Sequence, residues 1–517
     1  MSHVNTPPAL VRFLVKWGIR KTGNVFVPEC GDGRLLKGAV QMRLAHSIPL
    51  DRIVNRMIGT ESDPDLAREA RKTGARIFEE SFLEMGIRNY DKKQFASVLL
   101  HPDPNEGQGI GEAGSFIRSV CPEAELQTRW TAVLFLAMSM VQENGFLGAV
   151  VPQEILNVSH AGWLRNRLME EFSSVTIVRF ASPILEPDDS QNNVLLLARK
   201  GAAEKGLKIV DADAPSVLDQ ISPADLLQSE AAVDFWPEFP TWNYGFLNTE
   251  ELALVQKIGA MEKIVTGFQL YTAYLGDKLP YRDLGKLTVR NVIEHHLRGQ
   301  TIPFLFLCRY AESLYTSLIS RSLRECYRPC YLLAPREVPL PVEIMKTYPD
   351  GEKAEISKAA EKLSVYARTC PVYDFLVPKN SMYLPFFISN DGGMRAADNF
   401  IGIMLTENSS PYDLLYGSLN WFTAIAIELV SANHYGSMIS LTESTCELIP
   451  MIHLSDSTLT QVQDMSPDIR DKRDIYRVIE EVGEITLSEE LGLKEEETGL
   501  LRKIFWKLKG RREFCRN

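Results

Sequence analysis

Residues 25–36 read Val-Phe-Val-Pro-Glu-Cys-Gly-Asp-Gly-Arg-Leu-Leu, and this stretch decides the fold. An apolar run ends at a proline, and Gly31 and Gly33 then lead into a pattern typical of a helix. Glycine has no Cβ, so it lets the backbone approach a ligand closely. We therefore predict a strand, a tight loop and a helix that together receive a nucleotide-like ligand.

An acidic residue follows at the end of a second apolar stretch. Residues 56–60 lead to Glu61, and Ser62, Asp63 and Pro64 come directly after it. In doubly wound nucleotide folds, a carboxylate at this position accepts hydrogen bonds from ribose hydroxyls. Glu61 is therefore a candidate ligand-binding residue.

Further elements alternate between strands and helices. A strand is predicted over residues 95–100, and the turn of residues 101–104, His-Pro-Asp-Pro, ends it. A long helix pattern then leads to a strand over residues 146–151, and residues 175–180 and 194–197 form the last strands of the series. Such alternation predicts a mostly parallel sheet that helices cover.

In this order, the motifs resemble those of the γ-type adenine-specific (N6) DNA methyltransferase family, TaqI/Eco57I-like. The resemblance covers most of the chain up to about residue 200, and more loosely residues 245–453. It implies an α/β fold class: a Rossmann-like SAM-methyltransferase domain followed by a mixed α+β target-recognition domain and a helical C-terminal tail. It also implies double-stranded DNA as the partner and S-adenosyl-L-methionine as the cofactor.

Changes in composition give the domain boundaries. The SAM-methyltransferase-like domain is predicted over residues 1–212, an interlobe linker over 213–248, the target-recognition-like domain over 249–463 and a charged helical extension over 464–517. The linker carries aromatic residues that we interpret as packing it against a domain surface: Trp236, Phe239, Trp242, Tyr244 and Phe246. The extension is typical of a solvated helical pair, and the alternatives are an arm that contacts phosphate or a docking helix for a partner protein.

The family methylates adenine N6 with a turn of the form Asn/Asp/Ser-Pro-Pro-Tyr/Phe, which accepts hydrogen bonds from the amino group of a flipped base. The resemblance makes His101, Pro102, Asp103 and Pro104 the catalytic candidates. His101 then replaces the acceptor, and Pro104 replaces the aromatic ring that stacks on the base. A register that begins at Asp103 restores an acidic acceptor but places Glu106 where the aromatic belongs.

The resemblance also assigns cofactor-binding candidates. Glu61 is expected at the ribose, and Ser81 stands where an acid binds the adenine amino group of the cofactor, with Glu80 beside it. Val27 replaces an acid at the end of the first strand, and Ala198 replaces a second aromatic that stacks on the base. The full set of candidates is Thr6, Pro7, Pro8, Gly31, Gly33, Glu61 and Ser81.

These departures from the family pattern leave three functional hypotheses open. The first is a DNA-binding protein of a restriction-modification or phage-defence type system, which keeps the methyltransferase fold as a pseudoenzyme. The second is an active S-adenosyl-L-methionine-dependent DNA adenine-N6 methyltransferase with a variant turn. The third is an RNA or small-molecule methyltransferase, but a small substrate needs no large second lobe. The sequence therefore leaves open whether the chain is an enzyme.

Composition sets further bounds. The chain has 517 residues, of which 45% are hydrophobic, so it can bury a large core. Its net charge of −11 does not indicate nucleic-acid binding, although a two-lobed protein can concentrate basic residues in its cleft. No apolar run of about eighteen residues or more and no signal-peptide pattern occurs, which predicts a soluble, cytoplasmic protein. The eight cysteines are scattered, which argues against a zinc site.

Overall fold

The computed structural model divides into two compact units. Unit 1 contains residues 1–252 and 510–517, and unit 2 contains residues 253–509. The boundaries predicted from composition, after residues 212, 248 and 463, stay a prediction. The structure describes residues 6–102, 110–182, 184, 193–236, 239–275, 286–294, 297, 300–305, 329–334, 345, 350–351, 353–382, 384–390, 393–407, 409–434, 438–465 and 475–514.

Unit 1 is built on an eight-stranded sheet. Its strands in chain order are β1 Val25–Val27, β2 Met57–Thr60, β3 Arg76–Phe78, β4 Phe95–Leu100, β5 Val141–Pro152, β6 Ser174–Phe180, β7 Asn193–Arg199 and β8 Gly206–Ala212. Their order in the sheet is β3-β2-β1-β4-β5-β7-β6-β8. Strand β7 is antiparallel to both of its neighbours, whereas the other pairings are parallel. The predicted mostly parallel sheet is confirmed.

Helices connect these strands. They are α1 Pro8–Gly18, α2 Arg34–Ala45, α3 Leu50–Val54, α4 Pro64–Arg71, α5 Phe82–Arg88, α6 Gly111–Val120, α7 Arg129–Ser139, α8 Gly162–Glu171 and α9 Pro223–Gln228, and α10 Thr249–Gly259 begins in unit 1 and ends in unit 2. Helix α1 begins at a proline, whose missing N–H costs nothing in the first turn. Its residues Leu10, Phe13 and Leu14 are buried in the core, because their spacing places them on one face. They fix the chain segment before β1 against the sheet.

Parallel strands give the sheet two chemically distinct edges. Loops that follow strands β1 to β4 meet at one edge, which we call the carboxyl edge and define as residues 28–33, 61–63, 79–81 and 101–102. Residues that precede β1, β2 and β4, together with Arg199 at the end of the reversed β7, lie at the opposite edge, which we call the amino edge. In open α/β sheets, ligands bind beyond the carboxyl ends of the strands.

The predicted linker packs onto unit 1. Val233 forms an isolated antiparallel bridge with Leu207 of β8. Trp242 and Tyr244 are 1% and 0% exposed, and the rings of Trp236 and Phe239 lie 4.6 Å apart. The interpretation of these aromatics as packing residues is therefore confirmed.

Unit 2 combines small sheets with helices. Its strands are β9 Ile264–Thr266, β10 Tyr271–Leu275, β11 Lys286–Thr288, β12 Thr301–Leu305, β13 Pro329–Leu333, β14 Phe375–Pro378, β15 Asn380–Ser381, β16 Ile388–Ser389, β17 Arg395–Ala396, β18 Phe400–Leu405, β19 Ala432–His434, β20 Met438–Ser440 and β21 Pro450–Ile452. They pair in the orders β10-β18-β14-β16, β11-β13-β12-β17, β15-β20-β19 and β21-β9. The predicted mixed α+β character of this region is confirmed.

The helices of unit 2 include the C-terminal pair that the sequence predicts. They are α11 Gly267–Leu270, α12 Val289–Glu294, α13 Lys353–Thr369, α14 Pro411–Leu415, α15 Trp421–Val430, α16 Glu443–Glu447, α17 Asp456–Asp464, α18 Ile475–Glu489 and α19 Glu495–Glu513. Helix α15 is buried along its whole length, as its mostly apolar sequence favours, and Thr423 and Glu428 are its polar members. The predicted helical C-terminal tail is confirmed as α18 and α19.

The last residues of α19 belong to unit 1. Arg511 pairs there with Asp211 and, at 2.9 Å, with Glu230. Arg179 is 1% exposed, binds the same Asp211 carboxylate at 2.8 Å and donates to the Arg511 carbonyl at 3.0 Å. Arg512 is 4% exposed. These two basic residues of the tail are used inside unit 1, which argues against their serving as an arm that contacts phosphate.

Candidate functional site

The loop after β1 has the conformation that its glycines permit. Gly31 has a φ of 57° and Gly33 a φ of 86°, both in the left-handed region. A Cβ on Gly33 would lie 2.9 Å from the Cα of Ala70 in α4, so a side chain there would clash as well as strain the backbone. The sequence prediction of a tight strand-to-helix loop is confirmed.

Hydrogen bonds to the Glu61 carboxylate hold this loop against the end of β2. Its Oε2 accepts a hydrogen bond from the Gly31 N–H at 2.9 Å, and its Oε1 accepts one from the Asp63 N–H at 2.9 Å. The side chain is buried, with 7% of the residue exposed. A carboxylate oxygen has two lone pairs, so each oxygen keeps acceptor capacity for a ligand hydroxyl. The predicted ribose acceptor is thus oriented by the loop that it helps to hold.

The predicted cofactor turn and the predicted catalytic turn meet in the structure. Thr6 Oγ1 lies 3.0 Å from His101 Nδ1, although the two residues are 95 positions apart in sequence. Thr6 is 7% exposed, His101 is half-buried, and Pro7 caps the start of α1 beside them. Asp103 and Pro104 lie outside the described residues, so the structure locates only the first half of the catalytic turn.

Ser81 occupies the position where the family pattern has an acid. It is the N-cap residue of α5, is half-buried, and its side chain makes no capping hydrogen bond. The carboxylate of the neighbouring Glu80 pairs with Arg88 at the end of the same helix. The acid next to the predicted adenine position is therefore engaged in a salt bridge, and the hydroxyl of Ser81 is the polar group left at this position.

An ion pair that the sequence did not reveal lies beside the glycine loop. Glu29 pairs with Arg129, the first residue of α7, and the Arg129 Nη1–Glu29 Oε2 distance is 2.9 Å. Their side chains are 17% and 19% exposed, and Glu29 has a positive φ of 50°. A cation in the first turn of a helix is unfavourable next to the helix dipole, so Arg129 requires a carboxylate partner. A basic residue at the start of a predicted helix was the one signal in the sequence that Arg129 has an acidic partner.

Cys30, between the loop's acid and its first glycine, is a buried thiol. Burial and the neighbouring charge of Glu61 raise the pKa of the Cys30 thiol from 9.0 to about 12. The thiol is therefore neutral and unreactive near neutral pH, which makes it a packing residue and not a nucleophile. Within the described ranges, no group of three or more His, Cys, Asp and Glu side chains is placed to hold a metal ion.

Solved structures of restriction-modification enzymes align with this chain. The type IIL restriction-modification enzyme MmeI, solved in complex with DNA, aligns over 96% of this chain and 74% of its own, with 11% identity and a TM-score of 0.55. The type IIG restriction endonuclease BpuSI aligns over 96% and 64%, with 12% identity and a TM-score of 0.38. The M protein of the type I restriction enzyme EcoKI aligns over 40% and 48%, with 17% identity and a TM-score of 0.33.

Of these three structures, MmeI has a TM-score above 0.5, and at 11% identity its likeness to this chain shows a similar fold and nothing more. The chain spans less than two thirds of the length of the other two proteins. No family model matches the sequence, and no curated protein matches it.

Strand order and this likeness together confirm the predicted α/β fold class, a Rossmann-like domain followed by a mixed α+β region and terminal helices. The narrower assignment to the γ-type TaqI/Eco57I-like family stays a prediction. Among the described residues, no helix is both long enough and apolar enough to cross a membrane.

Proposed function

We propose that this chain is a DNA-binding protein on a methyltransferase fold, from a restriction-modification or phage-defence type system, and that it does not transfer methyl groups to adenine N6. The observation that carries the proposal is the hydrogen bond of 3.0 Å between His101 Nδ1 and Thr6 Oγ1. This hydrogen bond occupies Nδ1 of His101, the side chain that stands where the family has a fixed amide or carboxylate oxygen.

In one of the two imidazole tautomers of His101, this pair opposes catalysis. Adenine N6 is a poor nucleophile, and the family turn activates it by accepting hydrogen bonds from the amino group. If the Thr6 hydroxyl donates to Nδ1, the neutral ring carries its proton on Nε2, so neither ring nitrogen offers a lone pair to an amino group. Methyl transfer then loses its first acceptor.

The same geometry defines what would favour the active-enzyme hypothesis. If Nδ1–H instead donates to Thr6 Oγ1, Nε2 of His101 is the unprotonated nitrogen and carries the lone pair that an acceptor needs. The chain would then be an adenine-N6 methyltransferase with a variant turn. The RNA or small-molecule hypothesis has weaker support, because unit 2 spans residues 253–509 and a small substrate needs no reader of that size.

The part of the predicted cofactor pocket that would hold the ribose fits S-adenosyl-L-methionine better than the part that would hold the adenine. Glu61 offers buried, oriented acceptors for the ribose hydroxyls, and the loop of Gly31 and Gly33 leaves room for close backbone approach. Ser81 offers only a hydroxyl to the adenine amino group, since Glu80 is paired with Arg88. When bound, the cofactor would supply an electrophilic methyl group, and these residues would hold its nucleoside.

An isothermal titration of the purified chain with S-adenosyl-L-methionine tests the cofactor half of the proposal. We expect micromolar binding that is lost in Glu61→Ala. Glu79→Ala is the matched control, because Glu79 lies at the same edge but is exposed and paired with Arg71 at 2.9 Å. Equal binding by wild type and Glu61→Ala would show that Glu61 does not hold the ribose.

A methylation assay on mixed-sequence duplex DNA, with tritiated cofactor, tests the functional half. We expect DNA binding without methyl transfer by the wild type. Methyl transfer that His101→Ala abolishes would replace the proposal with the active-enzyme hypothesis. A failure to bind DNA at any salt concentration would overturn the proposal itself.

A further inference from the structure

The amino edge of the sheet in unit 1 is lined with cations, although the whole chain carries a net charge of −11. Each of the adjacent strands β2, β1 and β4 has basic residues directly before it or in the loop that leads to it, and β7 ends in one. All of them are exposed: Arg20, Lys21, Arg56, Lys92, Lys93 and Arg199.

Sheet register places these cations in one row. Met57 pairs with Val25, Val25 with Ser97, Ser97 with Phe146, and Phe146 with Arg199. The row crosses five adjacent strands, so it extends for about 19 Å at the usual spacing between strands. The strand ends beside which these cations lie therefore form one continuous strip along the edge.

Two arginines of the strip share one aromatic ring. The guanidinium of Arg20 lies 4.2 Å from the ring centre of Phe146, and that of Arg199 lies 5.2 Å from it. Arg20 donates to the carbonyls of Trp17 at 2.8 Å and Ile19 at 3.4 Å. In the part of the chain that the structure describes, neither arginine forms an ion pair with a carboxylate. Burial of the guanidinium and the nearby charge of Arg199 lower the pKa of Arg20.

A buried arginine holds the loop that presents Arg20. Arg43 of α2 is 2% exposed and donates to the carbonyl of Arg20 at 3.0 Å and that of Gly23 at 2.7 Å. Its guanidinium binds these carbonyls from the buried side, and the exposed side of the loop presents the cations Arg20 and Lys21 beside the neutral Thr22 and Asn24. Such a loop is a fixed cationic surface, because its backbone is fastened independently of any partner.

Acidic residues are few at this edge. Asp91 lies 3.5 Å from Lys93, and Glu143 is exposed in the turn of β5. Arg20, Lys21, Arg56 and Arg199 keep their charge without a carboxylate among the described residues. Like charges held close together raise the free energy of the surface until a polyanion neutralises them.

We propose that the amino edge binds the phosphate backbone of double-stranded DNA, as a second contact surface on the opposite side of the sheet from the carboxyl edge. Guanidinium groups match phosphate oxygens in a planar, two-pronged geometry, and a strip of about 19 Å covers several phosphates of a duplex. The choice of DNA rests on the proposed function. Contact with phosphates alone predicts binding without sequence preference.

Fluorescence anisotropy with a labelled mixed-sequence duplex of about three helical turns tests this surface in the full-length chain. Binding is measured at several NaCl concentrations from about 50 to 300 mM. For Arg20→Gln/Arg199→Gln, we expect binding weakened by about tenfold or more and a salt slope smaller by about 2, because each lost phosphate contact reduces that slope by about 1. Arg20→Lys/Arg199→Lys should keep most of the slope.

The matched control is Arg68→Gln/Arg71→Gln, which removes the same charge from α4. Both control arginines pair with carboxylates, Arg68 with Asp65 at 2.8 Å and Arg71 with Glu79 at 2.9 Å. The control should bind DNA with the wild-type slope. An equal loss in both double variants would overturn the inference, since net charge would then explain the effect.

Three further outcomes separate this inference from the proposed function. DNA binding by the wild type with an unchanged slope in Arg20→Gln/Arg199→Gln would overturn the inference and leave the proposed function intact. The absence of any DNA binding would overturn both. Binding to phosphatidylserine vesicles that depends on Arg20 and Arg199, without such dependence on DNA, would assign the surface to a membrane and overturn the inference.

Discussion

The two edges of the sheet in unit 1 use charge in opposite ways. At the carboxyl edge, Glu61 accepts two backbone hydrogen bonds and Glu29 pairs with Arg129, so the carboxylates are satisfied within the protein. At the amino edge, Arg20 and Arg199 are exposed and have no carboxylate partner among the described residues. A buried charge needs a hydrogen-bond or ion-pair partner within the protein, whereas water solvates an exposed charge until a ligand binds.

The two edges contribute differently to the stability of the fold and to association with polyanions. Substitutions at the carboxyl edge should disturb folding, because its polar groups hold the loop together. Substitutions at the amino edge should leave folding nearly unchanged and alter association with polyanions. The following experiments test that contrast in order of decreasing effect.

The largest expected effect concerns Cys30 at the carboxyl edge. With a pKa raised from 9.0 to about 12, its thiolate fraction near pH 8 falls by about 1000-fold relative to an unperturbed thiol. We expect the Cys30 peptide to react with iodoacetamide about 1000-fold more slowly in the native protein than in denaturant, as followed by mass spectrometry. Similar rates in both states would show that this edge is open to solvent.

The same pKa gives a prediction on stability. Because the folded state favours the protonated thiol, its contribution is complete below the unfolded pKa of 9.0 and is lost as the pH rises from there towards about 12. Cys30→Ala should remove that alkaline component of the unfolding free energy. A Cys30→Ala variant with an unchanged alkaline profile would contradict the prediction.

Gly33→Ala should lower the free energy of unfolding by about 2–5 kcal/mol, from backbone strain and overpacking together. Its φ of 86° is unfavourable for alanine, and the new Cβ would lie 2.9 Å from the Cα of Ala70. Urea denaturation followed by circular dichroism measures the change. Gly111→Ala is the control, since Gly111 has a φ of 44° with nothing within 4 Å, and its cost should be about 1 kcal/mol.

Glu61→Gln should lower the free energy of unfolding by about 1–3 kcal/mol, because the amide N–H₂ would face the N–H of Gly31 or Asp63 and leave it unsatisfied. Glu79→Gln at the same edge should cost less than about 1 kcal/mol, as its ion pair with Arg71 is exposed. Denaturation of the two variants side by side measures both changes. Equal losses would contradict the distinction between satisfied and solvated carboxylates.

The smallest expected effect is at the amino edge. Arg199→Gln should change the free energy of unfolding by less than about 0.5 kcal/mol, since it removes a contact with Phe146 and a repulsion with Arg20 that offset each other. Denaturation at low and high salt measures the change. A loss above about 1 kcal/mol would show that Arg199 is needed for folding and would weaken its assignment to DNA.

Much of unit 1 could be predicted from short stretches of sequence. The apolar runs, the glycines after β1 and the proline that opens α1 report local backbone preferences, which neighbouring residues settle among themselves. The boundaries of β5 were less predictable: the strand was expected over residues 146–151 but begins at Val141. Its polar start at residues 142–144 breaks the apolar pattern, and pairing with β4 decides its length.

The candidate site was only partly predictable. The positions of Glu61 and His101 followed from motif order, but their partners did not, because Gly31 and Thr6 are 30 and 95 residues away from them. Arg129 stands 100 residues from Glu29, so no spacing rule links the two. The charged strip at the amino edge was not foreseen at all, since its members come from loops before separate strands and from the end of β7.

The amino-acid sequence by itself determined the order of strands and helices in unit 1 and the residues that follow each parallel strand. Both depend on local conformational preference and on the period of the apolar residues. Tertiary structure alone decided that Thr6 meets His101, that Glu29 meets Arg129, and that Arg20 and Arg199 share one ring. The physical reason is strand order: β1 lies between β2 and β4, and β7 returns antiparallel beside β5. Side-chain partners across the sheet follow from that arrangement and from its register.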